Sequence, residues 1–115
     1  MQVIFIGKQK SYLQAYAQNI EIRDFSVYFI TEEEFSEQKL LPNIDVIIAD
    51  VDHCDERLEK RVNLFRSYYP NAQIWGVFNF KSAVLSNNLL KMGMTRLISK
   101  DDDITHLLEQ QNITQ

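Results

Sequence analysis

Asp50 is the residue of this chain whose type and position most directly suggest chemistry. It ends a run from Ile44 to Ala49 that is apolar apart from Asp45. Such a run is typical of a strand buried on both faces of a parallel sheet. In open α/β sheets, ligands and reactive groups lie in the crevice outside the carboxyl ends of the strands. Asp50 is therefore a candidate site residue, and its alternative role is to cap the turn that follows.

The neighbours of Asp50 in the sequence do not form a metal site. His53, Cys54 and Asp55 are consecutive, so they cannot all face one ion, and no second set of ligands follows at a zinc-like spacing. Cys54 is the one cysteine of the chain, which excludes an intramolecular disulfide. We predict no bound metal and no cofactor.

Length and charge limit the classes of function. A chain of 115 residues is long enough for one domain and too short for two. The formal charge of −4 argues against direct nucleic-acid binding by this segment, because such binding depends on clustered basic residues. We see no signal-peptide pattern and no run as long as a membrane span. We therefore expect a cytoplasmic protein without a membrane segment.

Short apolar runs alternate with stretches of helical spacing along the whole chain. We predict strands at residues 3–6, 25–30, 44–50, 74–78 and 97–98. We predict helices over 13–20, from Thr31 with Glu34 as its capping-box partner, over 54–69, from Ser82 to 92, and over 104–108. Pro70 should end the third helix and Gly93 the fourth, and the aspartates at 101–103 favour the start of the fifth.

Five strands that alternate with five helices through short connections imply a doubly wound α/β domain with a parallel sheet. The strand order 2-1-3-4-5 is the one we expect for five such units. We assign residues 1–111 to this domain and residues 112–115 to a polar tail. The tail is either the start of a linker to an output domain or the end of a free-standing adaptor.

With these residues in this order, the chain resembles the receiver domain of two-component response regulators, a flavodoxin-like (βα)5 fold, along essentially its whole length. Asp45 and Asp50 match the strand that ends in the family's phosphoacceptor, here as Asp-Val-Ile-Ile-Ala-Asp. Asn79 falls on the Thr or Ser that closes strand four, and Lys100 falls on the lysine after strand five. The resemblance implies a pocket in which Asp50 is accompanied by Asp52, Asn79 and Lys100.

The chain departs from the family at the magnesium site. Receivers carry an acidic pair after strand one that binds Mg²⁺, and here those positions are Gly7 and Lys8. Mg²⁺ takes oxygen ligands, usually from one or two carboxylates, so glycine and lysine cannot replace the pair. An ammonium within about 4 Å of Asp50 would instead attract it by several kcal/mol at an effective dielectric constant near 20. Lys8 is therefore a candidate to occupy the metal position, and the alternative is a lysine side chain that points to solvent.

The family's readout residues are also changed. Its switch aromatic falls on Leu97, which has neither a ring nor a hydroxyl, and Asp101 stands where the proline after the lysine would be. In the family, the fourth helix, fifth strand and fifth helix form the dimer and output face. The resemblance therefore implies a homodimer or protein-partner interface that includes Leu89, Leu97 and Leu107.

We interpret the chain as a degenerate receiver, or pseudo-receiver, that regulates by protein contact without magnesium-assisted phosphorylation, as part of two-component signalling or transcription regulation. The first alternative is a working receiver phosphorylated at Asp50 in a phosphorelay. The second alternative is small-ligand sensing in the crevice at the carboxyl edge. Asp50-Val51-Asp52 is also similar to the nucleophile motif of haloacid-dehalogenase-like phosphatases. That motif belongs to the first strand of a larger domain, so we expect no enzyme.

Overall fold

The computed structural model describes residues 1–7, 12–19, 25–31, 43–50, 56–78 and 83–114 of the chain. The strands are β1 (Gln2–Gly7), β2 (Ser26–Thr31), β3 (Val46–Asp50), β4 (Gln73–Phe78) and β5 (Arg96–Ser99). The helices in the described ranges are α1 (Tyr12–Asn19), α2 (Glu56–Tyr68), α3 (Ala83–Lys91) and α4 (Ile104–Thr114). Thr31, the predicted start of the second helix, is the last residue of β2, and the rest of that predicted helix lies outside the described ranges. The predicted third, fourth and fifth helices are therefore α2, α3 and α4.

The five strands form one parallel sheet in the order β2-β1-β3-β4-β5. This confirms the predicted doubly wound, flavodoxin-like topology. Because all strands run in the same direction, their carboxyl ends meet at one edge of the sheet. The strand that ends in Asp50 lies in the centre of that edge, between β1 and β4.

Alternate residues of the central strands supply two hydrophobic cores, one on each face of the sheet. Ile4 and Ile47 point to the face covered by α2 and α3, where Phe65 and Leu89 pack against them. The opposite core joins strand residues to α1 and α4, and its members include Val3, Phe5, Ile48, Trp75, Ile104 and Leu108. The strands are apolar on both faces because both faces are covered by helices.

The ends of α2 and α3 follow from proline and glycine, as predicted. Helix α2 stops at Tyr68, two residues before Pro70. Helix α3 stops at Lys91, and Gly93 then adopts a φ of 107°, a conformation that glycine tolerates. The amide of Met94 donates to the Leu89 carbonyl at 3.3 Å, and the amide of Gly93 donates to the Leu90 carbonyl at 3.1 Å. This pair of bonds is a Schellman motif, which satisfies carbonyls at the end of the helix.

Asp103 caps the start of α4, since its Oδ1 accepts a hydrogen bond from the His106 amide at 3.1 Å. Asp103 therefore acts as predicted at the start of the helix. Helix α4 continues to Thr114, three residues beyond the predicted domain boundary at residue 111. The Ser82 cap predicted for α3 lies outside the described residues. Within the described ranges, no helix has the length and apolar character needed to cross a membrane.

Candidate functional site at the carboxyl edge of the sheet

Asp50 is the last residue of β3, and its side chain is partly exposed at the carboxyl edge of the sheet. Its backbone is fixed on one side by the pairing of Asp50 with Val77 in β4. On the other side, Ile6 of β1 pairs with Ala49. Gly7, the next residue and the last of β1, therefore ends its strand at the level of Asp50. The position that would hold an acidic side chain in the resembled family has no side chain here.

Lys100 follows β5 directly, and its amide donates to the Phe78 carbonyl at 3.1 Å. This bond continues the β4–β5 ladder by one residue and brings Lys100 to the edge where Asp50 lies. One strand, β4, separates β5 from β3, so the two backbones are about 9–10 Å apart. The Lys100 side chain is exposed. A lysine stem is long enough to cover part of that separation.

The turn after β5 uses its polar side chains to hold backbone groups. The Ser99 amide donates to Oδ2 of Asp102 at 2.8 Å, and the Asp101 amide donates to the Ser99 hydroxyl oxygen at 3.2 Å. Together with the Asp103 cap, these bonds give the acidic cluster beside Lys100 a structural role. Asp101, which stands where the resembled family has proline, keeps an amide that proline would lack.

The remaining predicted pocket residues are Lys8, Asp52 and Asn79, and they lie outside the described residues. Their placement around Asp50 stays a prediction. In the part of the chain that the structure describes, no three His, Cys, Asp or Glu side chains are grouped so that they could hold a metal ion.

Asp45, the other aspartate of the matched motif, lies at the opposite edge of the sheet, just before β3. Its Oδ2 accepts a hydrogen bond from the Gln2 amide at 2.8 Å. Its own amide donates to the Gln2 carbonyl at 2.9 Å. Asp45 thus joins the start of β1 to the start of β3, a role that the sequence pattern did not indicate.

The three predicted interface leucines have different surroundings. Leu89 is 1% exposed and belongs to the core under α2 and α3, so its side chain cannot contact a partner in this state. Leu97 is partly buried against the same core, whereas Leu107 is partly buried against the core on the other face. Leu90, which the sequence analysis did not select, is 48% exposed on α3. Among the described leucines of α3, Leu90 is therefore the one that this surface would offer to a partner, and the interface itself stays a prediction.

Two long-range contacts that sequence reasoning missed hold helices in place. The Tyr16 hydroxyl on α1 shares a hydrogen bond with the Thr105 hydroxyl on α4, and the Tyr16 ring lies 5.6 Å from the Phe5 ring centroid. Burial raises the pKa of the Tyr16 hydroxyl, partly offset by the bond to Thr105. On the other face, the Arg66 guanidinium of α2 donates to the Gly93 carbonyl after α3.

Comparison with known proteins gives matches in structure alone. No protein-family model matches the chain, and no curated protein matches it. A response regulator from Thermotoga maritima is 19% identical, with a TM-score of 0.75 over 98% of this chain and 96% of that chain. A CheY-like receiver domain protein from Methanospirillum hungatei JF-1 is 17% identical, with a TM-score of 0.74 over 98% of this chain and 91% of that chain.

A third similar structure is RcsB from Salmonella enterica, bound to the rprA promoter in the presence of the phosphomimetic BeF3⁻. It is 16% identical, with a TM-score of 0.71 over 100% of this chain and 68% of that chain. At these identities the similarity establishes the fold and leaves function to be argued from the site. The chain therefore has the fold of the response-regulator receiver domain.

Proposed function

We propose that this chain is a signalling domain that acts through protein contacts and does not depend on magnesium-assisted phosphorylation of Asp50. The observation that carries the proposal is the end of β1 at Gly7, level with the end of β3 at Asp50. In the resembled family, this end of strand one supplies carboxylates to Mg²⁺. Glycine offers no oxygen from a side chain, and Mg²⁺ binds poorly without carboxylate ligands.

Lys8 strengthens this proposal, because it would place a positive charge where the family has a metal ion. An ammonium about 4 Å from a carboxylate attracts it by about 4 kcal/mol at an effective dielectric constant of 20. Such a pair neutralises Asp50 but does not orient a phosphoryl group as a metal ion does. The domain would then remain in one state and present a constant surface to its partner.

The proposed contact surface consists of α3, β5 and α4. Leu90 supports it, since a leucine that is 48% exposed beside a polar helix surface is a candidate contact residue. Leu97 and Leu107 would border the contact from their partly buried positions. A second copy of the chain or a separate output protein would cover this surface.

The test of this surface is the Leu90→Glu substitution followed by light scattering. We expect the wild type to have a mass above that of one 13.6 kDa chain, and Leu90→Glu to return it to one chain. Tyr68→Glu is the matched control, because Tyr68 is 43% exposed but lies at the end of α2. Equal masses for the wild type and Leu90→Glu would remove the self-association part of the proposal.

A working receiver is the second candidate, favoured by the partly exposed carboxylate of Asp50 and by Lys100 at the same edge. It predicts that acetyl phosphate and Mg²⁺ add one phosphoryl group to the wild type and none to Asp50→Asn. Intact-mass measurement distinguishes the candidates, since the first one predicts no added group on either protein.

A further inference from the structure

An open groove of about 320 Å³ lies at the amino edge of the sheet, opposite the edge that holds Asp50. Its walls are the segment that precedes β3 and the turn that joins α2 to β4. The volume falls at the lower end of the range of about 300–1,000 Å³ found for small-molecule sites. Nothing in the proposed function requires this groove.

The described residues that line the groove carry a negative charge. Among them Asp45 is the one carboxylate, and none is basic. The Gln2 and Gln73 backbones hold Asp45 in place through hydrogen bonds of 2.8–2.9 Å. The Gln2 amide occupies one acceptor position of the Asp45 carboxylate, and a carboxylate can accept hydrogen bonds from several further donors. Asp45 is therefore a fixed acceptor on the groove wall.

The carboxyl end of α2 adds to this negative charge. The carbonyl ends of a helix carry about half an elementary negative charge. Pro70 has no N–H, so it cannot donate to the Arg66 carbonyl four residues earlier. The Arg66 guanidinium, the basic group of the last helical turn, instead donates to the Gly93 carbonyl. The nearest cation on the helix is thus engaged outside the groove.

Aromatic and amide groups complete the lining. Tyr68 is 43% exposed, whereas Tyr69, the next residue, is buried and only 8% exposed. Asn71 is exposed on the groove, and Asn43, with a φ of 57°, lies at its other wall. Aromatic faces attract cations, and amide oxygens accept their hydrogen bonds.

We propose that this groove binds an organic cation, an alkylammonium or alkylguanidinium group, with its charge at Asp45 and its alkyl part against Tyr68. A single carboxylate is too few for a hard metal ion, which takes six or more oxygen ligands when it is Ca²⁺. An organic cation needs one charge partner, hydrogen-bond acceptors and an apolar contact, and all three line the groove. The cation is either a free small amine or the side chain of a peptide.

The test is a titration of the ¹⁵N-labelled full chain with n-butylammonium and ethylguanidinium, followed by amide NMR spectra. Sodium chloride at the same ionic strength is the reference. We expect saturable shifts confined to the amides of residues 43–45, 68, 69, 71 and 72. We expect Asp45→Asn, whose side-chain oxygen can still accept from Gln2, to weaken binding about tenfold, and Tyr68→Leu to weaken it by a smaller factor.

Asp101→Asn is the control, because it removes an exposed carboxylate at the other edge and should leave the affinity unchanged. Shifts that sodium chloride reproduces, or equal affinity for the wild type and Asp45→Asn, would overturn the proposal. So would unchanged affinity in Tyr68→Leu. Two further probes, N-acetyl-lysine amide and N-acetyl-arginine amide, distinguish a peptide side chain from a free small molecule. Tighter binding of these probes indicates a protein partner. Tighter binding of n-butylammonium or ethylguanidinium indicates a free small molecule.

Discussion

Gly7 and Asp50 end two neighbouring parallel strands at the same level of the sheet, because Ile6 and Ala49 are register partners. The carboxylate is thus held at the carboxyl edge of the sheet, next to a strand end that has no side chain. The same register provides a direct way to place a second carboxylate beside it.

Gly7→Asp combined with Lys8→Asp should create magnesium binding, and our proposal expects none in the wild type. The carboxylate at position 7 would end β1 level with Asp50. A second one follows it in the sequence, and two carboxylates with water are a usual Mg²⁺ ligand set. Isothermal titration with MgCl₂ measures the gain, and circular dichroism checks the fold. Adding Asp50→Asn should weaken the gained affinity, and a double variant as inert as the wild type would argue against the assigned geometry.

Leu89 and Leu90 should respond in opposite ways to truncation. Leu89 is 1% exposed in the core, so Leu89→Ala should lower the free energy of unfolding by about 2–5 kcal/mol. Leu90 is 48% exposed, so Leu90→Ala should change it by less than about 1 kcal/mol in the monomer. Urea unfolding of both variants at low concentration checks this, and equal losses would contradict the assigned burial.

Gly93→Ala should destabilise the domain by about 1–3 kcal/mol. The backbone at Gly93 has a φ of 107°, which disfavours any residue with a Cβ atom. A Cβ at this position would also lie 2.5 Å from Nε of Arg66. Thermal and urea unfolding measure the loss. Repeating the substitution in Arg66→Ala isolates the backbone contribution, and a Gly93→Ala protein as stable as the wild type would contradict the account of this turn.

The difference in the free energy of unfolding between the wild type and Tyr16→Phe should change with pH in the alkaline range. Burial raises the Tyr16 pKa, so the folded protein keeps this proton at a pH where the unfolded chain has begun to lose it. The resulting stability is fully present below about pH 10 and decreases as the pH rises through the folded-state pKa.

Tyr16→Phe should therefore be less stable than the wild type at neutral pH, by about 1 kcal/mol for the lost Thr105 bond, and the difference should shrink at alkaline pH. Urea unfolding near pH 7, 9 and 11 measures it. Thr105→Val is the control, since it removes the bond and keeps the Tyr16 proton. A difference that stays constant or grows with pH would contradict the assigned cause.

The strand order and most element ends could be predicted from the sequence because they depend on local signals. Hydrophobic runs indicate the buried strands, Pro70 and Gly93 end their helices, and Asp103 caps α4. Which of two adjacent leucines is buried could be predicted less accurately than the ends of the elements. A helical stripe defines its inner face only to within about one residue, so the sequence selected Leu89 where the structure exposes Leu90.

The long-range contacts had no sequence signal at all. Tyr16 and Thr105 are 89 positions apart, and only the packing of α1 beside α4 brings them together. The amino-edge groove likewise combines Asp45 with the end of α2. Asp50 was predicted from its strand, but its distance from Lys8 depends on a segment outside the described residues.

Beryllofluoride and Mg²⁺ test the central proposal most directly, because the complex mimics a phosphoryl group on a receiver aspartate only when a metal site is present. Amide NMR spectra of the full chain would be recorded with and without both reagents, for the wild type and Asp50→Asn. We predict identical spectra for Ala49, Asp50 and Lys100 in the presence and absence of the reagents. Saturable shifts at these residues in the wild type, absent from Asp50→Asn, would contradict phosphorylation-independent action.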